Sequence, residues 1–391
     1  MRWYCAYSLL PWFRNHYNGK EGKKSFQEPY NYLGQINEVP EDQKWMYRAT
    51  LPICRYYVRL RYSLMQLLYD QMFDNLLTGL PIARSLIISN EDDLSLVTEN
   101  ADYLDDEYMV GDDFLVAPVL WPQADRGNVT RMVYLPRPSS WWQCNLRADG
   151  PKSAIPLGKS FEGGSLLPYD ARMNDQESQI PWVTPMFIKY GAIIPQIQPR
   201  SHAEDMNASN PNPISLHIYP GHKGTNRSYD MYLDDGVSRE SAPTAGGLQK
   251  NAAANDAYNK KVEVIPIKAT KVLKPDAFGD DKAQDVYWRI RFAQETKHVD
   301  QNIVRTVNVK TVNQHSGFDP TTLHGNVYQL IVWAKPKREA AFIKANVRVF
   351  TSQGDVQVQK KYDDGRKAWL VELPIQDCAK ADHTVEITYT A

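Results

Sequence analysis

Hydrophobic side chains in the first part of the chain recur every three or four residues, which is the period of one helix face. They are Ile53, Tyr57, Leu60, Leu64, Leu68, Met72 and Leu76. Gly79 and Pro81 follow, and such residues commonly stand just beyond the end of a helix. The apolar run 81–88 comes next and predicts a buried strand. A helix followed at once by a strand is typical of an α/β architecture, but one such unit cannot close a sheet. We therefore expect this segment to belong to a larger fold.

From residue 110 onward apolar and polar side chains alternate, which favours strands with one face in water. The predicted strands cover residues 114–120, 132–135, 187–195, 215–219, 229–233, 262–267, 286–292, 304–312, 327–333, 347–350, 356–361, 368–373 and 384–389. Asp364-Gly365 lies between two alternating runs and predicts a hairpin turn. Residues 200–213, rich in Asn, Ser and Pro, predict a boundary between two sandwiches, and residues 241–256 predict a polar loop.

Composition and charge exclude several classes of partner. The 391 residues carry 45 basic and 46 acidic side chains, so the formal net charge is −1. Nucleic acid is not expected as a partner, because phosphate recognition needs a marked basic surplus. No apolar run reaches the ~18 residues of a membrane span, so no membrane partner is expected either. The four cysteines are too far apart for a metal-binding pair motif and too few for a disulfide framework.

Short motifs occur along the chain in a specific order. Residues 10–16 (LPWFRNH) end in Arg14-Asn15-His16, and Gln27-Glu28-Pro29 follows with an aromatic residue. Further motifs are residues 61–64 (RYSL), 79–84 (GLPIAR), 108–112 (YMVGD), 115–119 (LVAPV), 134–136 (YLP), 141–142 (WW), 191–195 (GAIIP) and 232–236 (YLDDG). Together they resemble the C-terminal portion of glycoside hydrolase family 31, the α-glucosidase family, and the resemblance covers residues 2–240.

The resemblance implies an α/β part followed by an all-β part, namely the C-terminal remnant of a (β/α)8 TIM barrel and two β-sandwich domains. The expected domains are residues 1–105 for the barrel part, 106–205 for the proximal sandwich and 206–391 for the distal sandwich. His16 aligns with the family's histidine that contacts the sugar at the cleavage point, so it is expected to bind substrate. Arg14 is the second candidate for the substrate-binding site, where it is expected mainly to brace the loop through hydrogen bonds.

The family's two catalytic aspartates are not found in this chain. A retaining glycosidase needs two carboxyl groups about 5 Å apart, and in this family both lie on motifs that precede the Arg-Asn-His segment. Neither the Trp-x-Asp-Met nor the Gly-Asp-Asn pattern occurs here, and a complete barrel takes roughly 250 residues. We therefore expect the chain to be the C-terminal portion of an enzyme whose catalytic residues lie upstream, with Met1 inside a barrel element. No catalytic residue is assigned, and the mechanism calls for no cofactor and no metal.

The expected substrates are α-linked glucosides or oligosaccharides, and a second chain that completes the barrel is a further expected partner. Residues 84–87 (RSLI), 9–17 (LLPWFRNHY) and 119–121 (VLW) look more like the α-1,4-glucan lyase branch. Members of that branch release an anhydrofructose instead of glucose. The rival from another class is a non-enzymatic β-sandwich protein that binds carbohydrate or acts as a scaffold.

Other acidic and aromatic pairs have structural interpretations. Asp234-Asp235-Gly236 and Asp363-Asp364-Gly365 predict turns. Asp92-Asp93 and Asp112-Asp113 predict loops with solvated side chains. Trp141-Trp142 are expected to pack inside the sandwich, with stacking on a sugar as the alternative.

Overall fold

The chain forms two compact units whose sequences interleave. In a computed structural model, the described residues are 1–15, 27–97, 101, 103–121, 130–144, 155, 157–171, 184–200, 209–236, 287–314 and 317–391. Unit 1 comprises Met1–Leu68, Ile82–Ala192 and Gln196–Ser201, and unit 2 comprises Tyr69–Pro81, Ile193–Pro195 and His202–Ala391. The division into three domains at residues 105 and 205 stays a prediction.

The described residues before position 80 include four helices, α1 (Arg2–Tyr7), α2 (Asn31–Gly34), α3 (Lys44–Ser63) and α4 (Met65–Thr78), with a 3₁₀ turn at Glu41–Gln43. The predicted helix is thus two helices that meet at Leu64, where the backbone leaves helical geometry. Most of the predicted face is buried, but beyond the break Phe73 is buried and Met72 is exposed. The buried face thus follows the predicted spacing as far as Leu68 and differs from it by one residue at Met72. Gly79, at φ +79°, ends α4 in the left-handed region.

Unit 1 contains a six-stranded antiparallel sheet of order β1-β2-β3-β8-β5-β6 and a separate pair, β4 and β7. Its strands are β1 (Ala83–Arg84), β2 (Tyr108–Val110), β3 (Phe114–Val116), β4 (Thr130–Tyr134), β5 (Trp141–Cys144), β6 (Leu157–Phe161), β7 (Leu166–Asp170) and β8 (Met186–Lys189). Short helices α5 (Leu86–Ser89) and α6 (Tyr103–Asp106) and a 3₁₀ turn at Leu94–Val97 accompany them. One core joins the sheet to β4, and its buried members include Leu115, Val133, Trp141 and Phe187.

Three predicted strands of unit 1 differ from the structure. The run 114–120 forms a strand only at Phe114–Val116. The run 81–88 is extended only at Ala83–Arg84, where it pairs antiparallel with β2, and a helix begins at Leu86. The run 187–195 breaks into β8 and the next strand, because Gly191 turns the chain at φ +76°. The short strands β2, β5, β6 and β7 were not predicted, since three to five residues show little alternation.

Unit 2 contains two sheets. One has the order β17-β18-β14-β10-β9, in which β10 runs parallel to β14 and β18 runs antiparallel to β14. The other is antiparallel throughout, with the order β11-β12-β13-β19-β15-β16. The strands are β9 (Ile193–Gln196), β10 (Ser215–Ile218), β11 (Asn226–Asp234), β12 (Tyr287–Val299), β13 (Asn302–Asn313), β14 (Val327–Trp333), β15 (Asn346–Thr351), β16 (Gly354–Asp355), β17 (Lys360–Asp363), β18 (Ala368–Pro374) and β19 (His383–Thr390). Helices α7 (Thr321–His324), α8 (Glu339–Phe342) and α9 (Ile375–Cys378) are single turns.

The two sheets of unit 2 pack on each other through buried side chains. The rings of Phe292 on β12 and Tyr328 on β14 lie 5.7 Å apart, edge to face. Arg305 on β13 is buried and donates to the carbonyl of Trp333 on β14 at 2.5 Å. Alternate residues of β12 and β13 are buried, as the sequence predicts. This arrangement is consistent with a β-sandwich.

Other predictions for unit 2 have mixed outcomes. The hairpin predicted at Asp364-Gly365 is confirmed, because β17 and β18 pair antiparallel on either side of it. The run 356–361 is extended as a strand only from Lys360. The predicted strand 262–267 and the polar loop 241–256 lie outside the described residues. The described part of the chain has no helix of the length and apolar character needed to cross a membrane.

Candidate functional site

Arg14 lies on an extended segment that follows α1. Its side chain is exposed, and its Nε donates to the carbonyl oxygen of Asn15 at 3.4 Å. Its guanidinium carbon lies 5.7 Å from the centre of the Trp12 ring, which is also exposed. A guanidinium held over an indole while open to solvent can donate to a hydroxylated ligand. His16, the other predicted substrate-binding residue, lies outside the described residues.

The Asn15 side chain connects the segment before residues 16–26 to Gln27, the first residue after them. Its Nδ2 donates to the Tyr4 hydroxyl at 2.7 Å and to the Gln27 carbonyl at 3.2 Å. On the other side, the Glu28 carboxylate accepts from the backbone N–H of Gln27 and from the Asn31 amide, at 3.2 and 3.0 Å. The Arg-Asn-His and Gln-Glu-Pro motifs are therefore neighbours in space. Tyr4 belongs to neither motif, and sequence analysis did not single it out.

Arg61, at the end of α3, contacts the segment that leads to Arg14. One terminal nitrogen donates to the carbonyls of Ser8 and Leu10 at 2.9 and 2.6 Å, and the other donates to that of Pro11 at 3.2 Å. Burial lowers the pKa of Arg61, against a smaller opposing effect of Tyr108. The motif RYSL included Arg61, but its partners are about 50 residues earlier in the chain.

A cavity of about 250 Å³ lies in unit 1 beside Tyr4 and Gln27, the two residues that accept hydrogen bonds from Asn15. It is lined by Met1, Tyr4, Gln27, Pro29, Tyr32, Met46, Tyr47, Thr50 and Cys54. The rings of Tyr32 and Tyr47 are 5.5 Å apart. Burial raises the pKa of the Cys54 thiol to about 11, so this cysteine is a neutral thiol at neutral pH and not a nucleophile.

The aspartates of the two Asp-Asp-Gly motifs have structural roles. The carboxylate of Asp234 accepts from the backbone N–H of Gly236 at 3.0 Å and from the Tyr69 hydroxyl at 2.6 Å. The carboxylate of Asp363 accepts from the N–H of Arg366 at 3.0 Å. The turn predicted at Asp363-Asp364-Gly365 is confirmed. At the other motif β11 ends at Asp234 and Gly236 bends the chain at φ +68°, and the residues that follow lie outside the described part.

Asp93 corrects one prediction, because its side chain is buried rather than solvated. It is 3 % exposed. One oxygen accepts from the N–H and the hydroxyl of Ser95 at 3.2 and 2.5 Å, and the other accepts from the hydroxyl of Tyr134 and the N–H of Arg137, both at 2.7 Å. These donors compensate for burial, which alone would raise its pKa, and hold the pKa below its usual value. Asp112, by contrast, has a 62 % exposed side chain, as predicted.

The tryptophan pair packs inside unit 1, as predicted. Trp141 and Trp142 are 0 % and 2 % exposed, so neither presents a face to a sugar. Trp142 stacks on Tyr190 with ring centres 4.3 Å apart, and the Trp141 indole N–H donates to the Pro136 carbonyl at 2.9 Å. Among the described residues, no group of three or more His, Cys, Asp or Glu side chains is arranged to hold a metal ion.

Residues 79–194 match the sequence model of the glycosyl hydrolase family 31 C-terminal domain. Over 241 residues the chain is 28 % identical to the alpha-xylosidase of Saccharolobus solfataricus, covering 61 % of this chain and 26 % of that protein. Over another 241-residue alignment it is 25 % identical to the human neutral alpha-glucosidase AB, covering 60 % of this chain and 20 % of that protein. The chain thus spans about a quarter of the length of such relatives.

Two solved structures share the fold. One is the Flavobacterium johnsoniae GH31 dextranase complexed with glucose, with a TM-score of 0.55 and 20 % identity over 88 % of this chain and 33 % of that one. The other is the glucosidase II alpha subunit, with a TM-score of 0.56 and 16 % identity over 99 % of this chain and 32 % of that one. The chain therefore has relatives among glycosidases, and residues 79–194 resemble the C-terminal domain of family 31.

Proposed function

We propose that this chain is the C-terminal part of a family 31 glycosidase that hydrolyses α-glucosidic bonds with retention of configuration. The observation that carries the proposal is the match of residues 79–194 to the family's C-terminal domain. Relatives that align along a longer stretch include an α-xylosidase and α-glucosidases. Their names point to α-linked sugars as the substrate class.

In this proposal His16 and Arg14 bind hydroxyl groups of the sugar, and the two catalytic carboxyl groups come from outside residues 1–391. Retaining hydrolysis needs a nucleophile and an acid/base about 5 Å apart. The exposed guanidinium of Arg14 supports a binding role, because guanidinium N–H groups can donate to the hydroxyl groups of a sugar. The chemistry needs neither a metal nor a cofactor.

The domain assignment is part of the same proposal. Residues 1–105 would contribute to a (β/α)8 barrel, and residues 106–205 and 206–391 would form the proximal and distal sandwiches. The long helices α3 and α4 support the barrel assignment, because helices form the outer ring of a (β/α)8 barrel. The sheets of unit 2 support the distal sandwich.

The experiment is to capture the native protein from its source with an antibody against unit 2, and to incubate it with maltose, isomaltose and an aryl α-xyloside. We expect release of the monosaccharide, seen first as the α-anomer by proton NMR. Anhydrofructose as the product would establish the lyase alternative, which the relatives named above do not support. No reaction with any of the three would overturn the enzymatic proposal and favour a carbohydrate-binding or scaffolding role.

A variant of His16 tests the binding role in the same native-length protein. His16→Ala is expected to reduce transition-state stabilisation by about 2–4 kcal/mol, measured as kcat/KM for a small α-glucoside. A value near that of the unsubstituted enzyme would contradict the assigned role.

A further inference from the structure

Three carbonyl oxygens between α1 and Arg14 accept hydrogen bonds from a single side chain. The Arg61 guanidinium donates to Ser8, Leu10 and Pro11 at 2.9, 2.6 and 3.2 Å. These residues lie three to six positions before Arg14, so the three contacts orient the chain where it leaves α1. The guanidinium carbon also lies 5.4 Å from the centre of the Phe13 ring. A planar cation with donors in a fork can make all these contacts at once.

A second side chain holds the start of the same segment. The Tyr108 hydroxyl on β2 donates to the Ala6 carbonyl at 2.8 Å. That carbonyl is in the last turn of α1, where carbonyl oxygens have no partner within the helix. The Tyr108 contact therefore orients the end of α1, and the Arg61 contacts orient the residues after it. The Tyr4 ring adds an edge-to-face contact with Phe13 at 5.2 Å.

The geometry points to Arg61 as a positioning residue that sets the place of the substrate-binding segment carrying Arg14. This inference rests on the proposed function, because it gives Arg61 a role in the reaction of the same site. Arg61 touches no substrate. It acts by fixing the backbone of residues 8–13, and a displacement of about 1 Å in a binding segment can cost a factor of about 100 in rate.

Lysine cannot replace arginine here. Its ammonium group is a single point, so it reaches at most some of the three carbonyls and does not lie flat against Phe13. The chain offers a matched control in Arg59, which is exposed on the same helix and has no hydrogen bond to any described residue. Arg61→Lys and Arg59→Lys thus make the same chemical change two residues apart.

The test measures both substitutions in the native-length protein by two methods. The first is hydrogen exchange of the amides of residues 8–15, which is expected to become faster in Arg61→Lys and to stay unchanged in Arg59→Lys. The second is kcat and KM for maltose at a temperature where both variants remain folded. We expect kcat/KM to fall about 10- to 100-fold in Arg61→Lys alone. Arg61→Met, which has no donors, is expected to fall further.

The outcomes separate this inference from the proposed function. If the unsubstituted protein cleaves maltose and Arg61→Lys equals Arg59→Lys in both measurements, the inference is overturned. Faster exchange with unchanged kcat/KM overturns the positioning role and leaves a purely structural contact. If the unsubstituted protein acts on no α-glucoside, the proposed function fails and the positioning role fails with it, whatever the exchange shows.

Discussion

A histidine in the core of unit 2 is expected to make the protein sensitive to acid. His217 on β10 is 1 % exposed, and its Nδ1 accepts from the Trp333 indole N–H at 3.1 Å. The imidazole is therefore neutral, with its hydrogen on Nε2, and that atom has no hydrogen-bond partner among the described residues. Burial, with a smaller effect from Arg366, lowers the pKa of His217 from 6.5 to about 3.

The direction of the pH effect on stability follows from comparing proton binding by His217 in the folded and the unfolded chain. Below pH 6.5 the unfolded chain takes up a proton on His217, whereas the folded chain does not until about pH 3. Unfolding is therefore favoured progressively as the pH falls through this window. Each pH unit corresponds to about 1.4 kcal/mol once the unfolded imidazole is fully protonated, and it is only half protonated at pH 6.5. From pH 6.5 to 4.5 the free energy of unfolding therefore falls by about 2 kcal/mol from this group alone.

The assay is urea unfolding of the whole chain at several pH values, followed by tryptophan fluorescence. His217→Asn places Oδ1 near the position of Nδ1, so it keeps an acceptor for Trp333 but has no proton to gain. The variant is expected to be less stable at pH 7, because a smaller side chain leaves a cavity. Between pH 6.5 and 4.5, however, its free energy of unfolding should fall by about 2 kcal/mol less than that of the parent. His298→Asn, at an exposed position of β12, is the control and should follow the parent. Parallel profiles for His217→Asn and the parent would refute the reasoning.

Three buried acidic side chains, Glu107, Asp70 and Asp93, give further predictions for the same unfolding assay. Burial raises the pKa of Glu107 to about 8, so its contribution to the free energy of unfolding falls as the pH rises from 4.5 to 8. The change in the free energy of unfolding caused by Glu107→Gln should therefore be about 3 kcal/mol more favourable at pH 7 than at pH 4.5. Identical pH profiles for the variant and the parent would contradict this. Asp70 accepts from the N–H of Tyr232 at 2.8 Å, so Asp70→Ala is expected to cost about 1–3 kcal/mol, and a cost near zero would mean that water replaces the carboxylate. Asp93→Asn is expected to cost about 2 kcal/mol because an NH₂ group would face donors, whereas the exposed neighbour Asp92→Asn should cost nothing measurable; equal effects would show that burial of Asp93 is unimportant.

Local periodicity predicted the longest elements because it is a property of consecutive residues. The alternation in 286–292 and 304–312 predicted β12 and β13, and the spacing from Ile53 to Leu68 predicted the buried face of α3 and the start of α4. The break at Leu64 was not predicted, since no glycine or proline marks it.

Contacts between distant residues could not be predicted in this way. An Asp-Asp pair in a polar stretch indicates solvated side chains, but Asp93 meets a donor 41 residues later, on β4. In the same way, the motif that contains Arg61 shows the family resemblance without showing which carbonyls the guanidinium reaches. Of the two predicted binding residues, the structure describes Arg14, and the binding role of both stays a prediction.

The interleaving of the two units affects the order in which the protein can fold during synthesis. Tyr69–Pro81 belongs to unit 2, yet Asp70 meets its partner Tyr232 only after 162 further residues have been made. At a ribosome speed of about 5–20 residues per second, Asp70 waits about 8–30 seconds for that partner. Phe73, which stacks on Tyr232, stays uncovered for nearly as long. Nascent chains paused between residues 80 and 230 would therefore present this apolar helix turn to molecular chaperones.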